Sequence, residues 1–171
     1  MKNMWYIAIT VCMLSGHAGA DNETTASYDF GKAKITLVEK AFDPGQAKVE
    51  TCQGGAGICR INGVIPFGIA AGMPKTELVK VTLDVGGKSY QLDAGGMYNA
   101  WGRKSGDSAQ RLSAQCFDAS NCIVRGVFSE PTGAYAAEWA IVDGRASRTM
   151  LTGSRDVVDL FRKNIGAPLF E

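Results

Sequence analysis

The chain has 171 residues, with 18 basic and 17 acidic side chains and a formal net charge of +1. A charge this close to zero gives no general attraction to nucleic acid or to an anionic membrane, so we expect no nucleic-acid partner. No stretch approaches the roughly 20 apolar residues that span a bilayer, so we also expect no integral membrane span.

The first 20 residues have the pattern of a secretory signal peptide. Lys2 is the only charged residue there, Tyr6–Leu14 is an apolar run, and Ala18-Gly19-Ala20 offers small residues for cleavage. The short signal is bacterial in style, so we expect a periplasmic or secreted bacterial protein. Cleavage would remove Cys12 and the single histidine, His17. The remaining chain would lack the imidazole that Ser-His-Asp and Cys-His catalysis require, and we therefore expect a protein that is not an enzyme.

Four cysteines remain after the signal, in two close pairs. Cys52 and Cys59 flank a glycine-rich segment, and Cys116 and Cys122 flank a second short segment. Four cysteines allow three connectivities, and the short spacings favour the two local disulfides. Neither pair has the spacing of a zinc site, and an oxidising compartment favours disulfides. We expect no metal and no cofactor.

Turn signals recur along the chain, as is typical of a β-rich domain. Residues 21–32 are polar and small and predict a flexible N-terminal lead, followed by one disulfide-braced domain over residues 33–171. Residues 35–42 could form a strand or a short helix, and a strand is favoured. Three dipeptides predict tight hairpin turns because they accept positive φ at two successive positions. They are Asn62-Gly63, Gly86-Gly87 and Asp143-Gly144.

Two segments alternate apolar and polar residues with a period of two, which predicts half-buried strands. The first places Val79, Val81, Leu83 and Val85 on one face. The second places Tyr135, Ala137, Trp139 and Ile141 opposite Glu138.

Residues 154–164 break this pattern, since their apolar residues have helical spacing. Ser154 can cap the start of a helix, and Gly166 followed by Pro168 can end it. The predicted buried side comprises Val157, Leu160 and Phe161. The sequence therefore predicts an α+β fold: a β-rich single domain whose antiparallel sheet has about six to eight strands, bent or in two layers, with a C-terminal α-helix.

The segment between Cys116 and Cys122 is the leading candidate for a binding site. A covalently closed loop is pre-organised, so it loses little conformational entropy when it binds. Exposed aromatic residues between glycines are a second candidate, although the same residues could instead be buried beside a bulge. The candidate binding residues are Phe117, Asp118, Ser120, Asn121, Tyr98 and Trp101. No catalytic residue is assigned.

The second disulfide loop resembles the loop of periplasmic lysozyme inhibitors of the vertebrate-lysozyme-inhibitor type, which insert a small disulfide-closed loop. The resemblance covers Cys116 to Cys122 and two preceding segments, Val81-Thr82-Leu83 and Tyr90-Gln91. The loop of this chain has no histidine and the rest does not align, so we assign no family from it.

These features favour an exported binding protein over an enzyme. We expect a periplasmic inhibitor or immunity protein that occludes a cell-wall-degrading or other toxic enzyme, with that enzyme as its protein partner. One alternative is a hydrolase of envelope polysaccharide or peptidoglycan that uses a pair of carboxylates. The candidate carboxylates are Asp118, Glu130, Glu138 and Asp143. Another alternative is a structural or assembly partner in the envelope.

Overall fold

The computed structural model describes residues 23–55, 57–69, 72–100, 111–128 and 133–167. The predicted signal peptide lies outside these residues. Within them the chain forms mostly antiparallel sheet with one C-terminal helix, as the sequence predicts. The elements are β1 (Glu23–Asp29), β2 (Ala33–Ala41), β3 (Val49–Thr51), β4 (Ile58–Ile61), β5 (Thr76–Val85), β6 (Lys88–Leu92), β7 (Leu112–Asp118), β8 (Asn121–Phe128), β9 (Tyr135–Val142), β10 (Arg145–Thr152) and α1 (Arg155–Lys163).

The strands form two four-stranded sheets and one small hairpin. Sheet I has the order β1-β2-β5-β6, sheet II has the order β10-β9-β8-β7, and β3 pairs with β4. The described strands therefore outnumber the six to eight that the sequence predicts, because β1 and the short β3–β4 hairpin carry little apolar alternation. Side chains from the inner faces of both sheets meet in one apolar core, which includes Leu37, Leu83, Val124 and Trp139. The two layers thus enclose the core between them.

The three predicted tight turns form where the sequence places them. Residues Asn62-Gly63, Gly86-Gly87 and Asp143-Gly144 all have positive φ. The second joins β5 to β6 and the third joins β9 to β10. The first turn reverses the chain after β4, but only an isolated bridge between Ile61 and Val64 follows it, so that hairpin is much shorter than expected.

The alternation predicted for β9 is confirmed, whereas that for β5 changes phase at a bulge. Tyr135, Ala137, Trp139 and Ile141 are all buried in the core. In the ladder between β2 and β5, Val38 pairs with Lys80 and Glu39 with Leu78, so Val79 is the extra residue. Leu78 is buried in place of Val79. A bulge moves every side chain beyond it to the opposite face, and sequence alternation alone does not reveal it.

The segment 21–32, expected to be a flexible lead, contains strand β1. β1 pairs with β2 over its whole length, from Glu23 opposite Lys40 to Asp29 opposite Lys34. Most of its side chains are exposed, and Tyr28 packs against the core. The polar composition that suggested a loose lead instead reflects an edge strand held mainly by backbone hydrogen bonds. The strand expected over residues 35–42 is confirmed as β2.

Helix α1 packs on the outer face of sheet II and forms a second apolar cluster. Val158 and Phe161 are buried there beside Val127 and Ala136, with Val157 partly buried. Leu160, predicted to be buried, is 55% exposed, so that part of the prediction was wrong. Ser154 occupies the N-cap position but makes no side-chain capping hydrogen bond. Leu160 has the spacing of the apolar stripe of α1. It nevertheless lies outside the contact between the helix and the sheet and is exposed to solvent.

The two sheets meet at one corner through side chains rather than through a shared ladder. Trp139 Nε1 donates a hydrogen bond of 2.8 Å to the carbonyl oxygen of Asp93, which follows β6. Arg148 of β10 donates to the carbonyl oxygen of Gly95 at 2.6 Å and forms an ion pair of 3.0 Å with Asp93. These bonds fix the chain after β6 against sheet II.

Candidate functional site

The loop between β7 and β8 is closed at its base by a disulfide that belongs to the core. Cys116 and Cys122 lie directly opposite each other in the ladder and are bonded, and Cys52 is bonded to Cys59. Both predicted local pairings are therefore confirmed. Cys122 is buried in the core and Cys116 packs against it. The disulfide consequently points inward, and the residues between the cysteines project from the end of the sheet.

Phe117 is the most exposed large apolar side chain among the described residues. It occupies a register shift in β7, between Cys116, which pairs with Cys122, and Asp118, which pairs with Asn121. The Phe117 side chain is 88% exposed. A bulge re-aims the side chain of the extra residue away from the sheet's regular alternation. The core therefore gains nothing from this phenylalanine, and packing does not account for its presence.

The Asp118 carboxylate forms hydrogen bonds within the loop itself. Its Oδ1 accepts hydrogen bonds from the Ser120 backbone N–H at 2.6 Å and from Asn121 Nδ2 at 3.1 Å, and its Oδ2 accepts one from the same Nδ2 at 3.0 Å. The pKa of this carboxyl is lowered from its usual value. The hydrogen bond from Ser120 contributes most to this lowering, and the bond from Asn121 contributes second. Such a side-chain turn stabilises the tight connection between the two strands. The carboxylate is exposed, but its first role is to shape the loop.

Ser120 and Asn121 tie the loop to two neighbouring hairpin turns. Ser120 Oγ accepts a hydrogen bond from Lys88 Nζ at 2.7 Å, and its carbonyl oxygen accepts one from the Gly144 N–H at 2.9 Å. Asn121 Oδ1 accepts one from the Asp143 N–H at 3.1 Å. The loop is thus bonded to the β5–β6 hairpin on one side and to the β9–β10 turn on the other.

A further contact at this end of the molecule was not foreseen from the sequence. The Tyr90 hydroxyl donates a 2.7 Å hydrogen bond to the Ala119 carbonyl oxygen. A Cβ placed on Gly86 would lie 2.6 Å from the Ala119 Cβ, so only glycine fits there. The signal in the sequence was the Gly86-Gly87 turn itself, but nothing local indicates which other turn it contacts. We call the loop Phe117–Asn121 with its two supporting turns the turn platform.

Tyr98, from the second candidate segment, does not join this site. Tyr98 is 5% exposed, and its ring packs edge-on against Phe42 with centroids 5.6 Å apart. Burial raises the pKa of its hydroxyl, with a smaller contribution from the charge of Glu77. Tyr98 is therefore a buried residue, as the alternative interpretation of this segment allowed, and it cannot serve as an exposed anchor. Trp101 lies outside the described residues.

Three of the four candidate carboxylates, Asp118, Glu138 and Asp143, lie within the described residues. Glu138 forms a 2.7 Å ion pair with Arg125 and accepts a hydrogen bond from Thr149, on the outer face of sheet II. Asp118 and Asp143 lie on the turn platform, where Asn121 bonds to the Asp118 carboxylate and to the Asp143 N–H. Glu130 lies outside the described residues. Glycoside hydrolysis needs two carboxyl groups facing each other across the substrate.

The described part of the chain holds no cluster of three or more histidine, cysteine, aspartate or glutamate side chains that could bind a metal ion. Nor does any helix within it have the length and apolar character needed to cross a membrane.

Comparisons with protein-family models, with curated proteins and with solved structures returned no match to this chain.

Proposed function

We propose that the protein is an exported inhibitor or immunity protein that binds a cell-wall-degrading or other toxic enzyme and blocks it with the turn platform. The observation that carries this proposal is the 88% exposed Phe117, held on a loop that a disulfide and hydrogen bonds fix in place. An aromatic side chain that fills a partner's pocket commonly dominates the binding energy of an interface.

The rigidity of the loop supports occlusion as the mode of binding. Association loses the conformational freedom of every side chain and loop that becomes ordered, and this loss offsets part of the contact energy. The disulfide, the Asp118 turn and the bonds to Lys88 and Gly144 order the loop before any partner arrives. A partner with a concave apolar pocket would therefore gain most of the energy of burying Phe117.

Two local disulfides and the lack of a membrane-spanning helix among the described residues are compatible with an extracellular or periplasmic protein. Disulfides form and persist in such oxidising compartments. We propose that the protein resides in the bacterial periplasm or the medium, and the two disulfides together with the signal-like N-terminus support this proposal.

The test begins with capture of partners on immobilised mature protein from an envelope extract, run in parallel with Phe117→Ala. A partner retained by the wild type is then purified and its affinity measured by calorimetry. We expect Phe117→Ala to weaken binding about thirtyfold, which corresponds to about 2 kcal/mol for a buried anchor. The melting temperature should not change, since the ring contributes nothing to the core.

Leu160→Ala is the matched control, because Leu160 is also an exposed apolar residue but lies on α1. The Leu160→Ala variant should bind the partner with the same affinity as the wild type. Equal affinity of Phe117→Ala and the wild type would reject the loop as the site. Turnover of a cell-wall polymer by the purified protein, abolished by a single carboxylate substitution, would instead establish the hydrolase alternative.

A further inference from the structure

A groove of about 560 Å³ lies beside sheet I, and none of its lining residues belongs to the loop Phe117–Asn121. The chain leaves sheet I after β2 and returns at β5, so residues 42–75 form an insertion between two paired strands. One wall of the groove is the tip of this insertion, at Ile61, Asn62 and Val64. The other wall is formed by β5, by residues 91–98 and by Ala146. Its volume falls within the usual range for ligand sites.

The insertion wall is held in a fixed position. Ile61 and Val64 exchange two backbone hydrogen bonds across the Asn62-Gly63 turn. The Asn62 side-chain oxygen accepts a 2.8 Å bond from the Lys48 N–H. Gly96 approaches so closely that an added Cβ would lie 2.8 Å from the Ile65 carbonyl oxygen. The groove is therefore formed before a ligand binds.

The lining combines apolar side chains with negative charge. Val64 is 42% exposed, and Val79 is turned to this outer side by the β5 bulge. The titratable groups among the lining residues, apart from the buried Tyr98 hydroxyl, are the carboxylates of Glu77 and Asp93. Lysine and arginine are absent from the described residues that line it.

Both carboxylates have an ion-pair partner outside the lining. Lys40 lies 3.0 Å from Glu77, and Arg148 lies 3.0 Å from Asp93. The Arg148 side chain is largely buried and also donates to two carbonyl oxygens, whereas 56% of the Asp93 side chain is exposed. Asp93 thus faces solvent while its cation lies mostly beneath the surface, and its Oδ1 also accepts the Gly95 N–H at 2.8 Å. In the other pair Lys40 is more exposed than Glu77, at 43% against 26%, so Asp93 is the exposed negative group of the groove.

We propose that this groove binds a short extended peptide segment in which a lysine or arginine is flanked by aliphatic residues. The cationic group would contact Asp93, and the aliphatic side chains would pack against Val64 and Val79. Hydrogen bonds between charged groups are stronger than neutral ones, and the apolar wall adds burial. The proposal does not depend on the proposed function, because the groove and the Phe117–Asn121 loop share no residue.

In the test, a blocked tetrapeptide that alternates leucine and lysine is titrated into the isotope-labelled mature protein. NMR spectra recorded at each step follow the binding. We expect saturable shifts of the amides of residues 61–65 and 91–97. Peptides with glutamate or glutamine in place of lysine should bind at least tenfold more weakly. Raising the salt concentration to about 0.5 M should weaken binding of the lysine peptide, since exposed charges are then screened.

Three variants test whether the peptide binds in the groove. Asp93→Asn, which keeps the oxygen that accepts the Gly95 N–H, should weaken binding of the lysine peptide several-fold. Val64→Ala, at an exposed position, should also weaken this binding without loss of folding. Phe117→Ala should bind the peptide like the wild type, which keeps this test distinct from that of the turn platform. Shifts outside the groove, absence of saturation, or equal binding of the lysine and glutamate peptides would overturn the proposal.

Discussion

At the level of single residues, Asp118 shows how a candidate recognition group can serve the loop that carries it. Its carboxylate accepts the Ser120 N–H and the Asn121 side-chain amide. A sequence places an acidic residue in a closed loop but does not show whether the carboxylate faces a partner or its own backbone. The proposed recognition role therefore rests on Phe117, while Asp118 shapes the loop that carries it.

The lowered pKa of Asp118 gives the loop a defined pH dependence. A carboxyl whose pKa is depressed by folding stabilises the folded loop above its ordinary pKa of about 3.9, and this stabilisation is lost as the pH falls through the lower folded value. We expect the Ser120 amide to be protected from exchange at neutral pH and to lose protection below that range. Amide exchange measured by NMR across the acidic range tests this.

Substitutions at the same position supply the control. Asp118→Asn keeps one oxygen acceptor for the Ser120 N–H and should remove most of the pH dependence while the loop stays ordered. Asp118→Ala should leave the Ser120 amide exposed to exchange at every pH. An identical pH profile in wild type and Asp118→Asn would show that another group controls the loop.

At the level of elements, α1 is attached through few residues. The Phe161 ring is buried against sheet II, and the Arg125 guanidinium lies 4.9 Å from its centroid. We expect Phe161→Ala to lower the free energy of unfolding by about 3–5 kcal/mol, as for other buried aromatics. Chemical denaturation measures this difference. Leu160→Ala, one residue away but exposed, should change it by less than about 0.5 kcal/mol. Equal losses in the two variants would contradict the packing of α1 on sheet II.

Local patterns predicted most elements, and the failures have a common physical origin. Turn dipeptides, period-two alternation and helical spacing are properties of neighbouring residues, so β5, β6, β9, β10 and α1 could be predicted. The β5 bulge depends on pairing with β2, and the exposure of Leu160 depends on the width of the helix–sheet contact. β1 depends on a partner strand rather than on its own composition.

The features of the candidate site likewise fall into those that local sequence predicts and those that depend on distant segments. Both disulfides and the projecting loop could be predicted from spacing, and Phe117 proved to be the exposed large apolar residue of that loop. The burial of Tyr98, the support from Tyr90 and the groove beside Asp93 arise where distant segments meet. Buried Glu39 is another case, since it accepts hydrogen bonds from Thr76 and from Ala100, far along the chain. No local pattern encodes such contacts.

At the level of the whole molecule, the corner at Asp93 joins the two sheets. Arg148 donates to the Gly95 carbonyl oxygen and pairs with the Asp93 carboxylate. We expect Arg148→Met to lower the free energy of unfolding by about 1.5–3 kcal/mol, since it removes hydrogen bonds to a largely buried charged group. Arg145→Met, on the exposed end of the same strand, should be nearly neutral. Thermal and urea denaturation of both variants measure the difference, and equal stabilities would show that the corner contributes little.

The insertion between β2 and β5 also affects how the chain reaches its fold. Sheet II is a meander in which β7, β8 and β9 each pair with the next strand along the chain. In sheet I, β2 and β5 pair only after residues 42–75 have been brought into a closed loop. Closing that loop costs roughly 2–3 kcal/mol more than closing a two-residue turn. The Cys52–Cys59 disulfide lies within the loop and joins residues only 7 apart, so it shortens the loop little. Among the strand pairings of the two four-stranded sheets, that of β2 with β5 therefore closes the longest loop and carries the largest closure entropy.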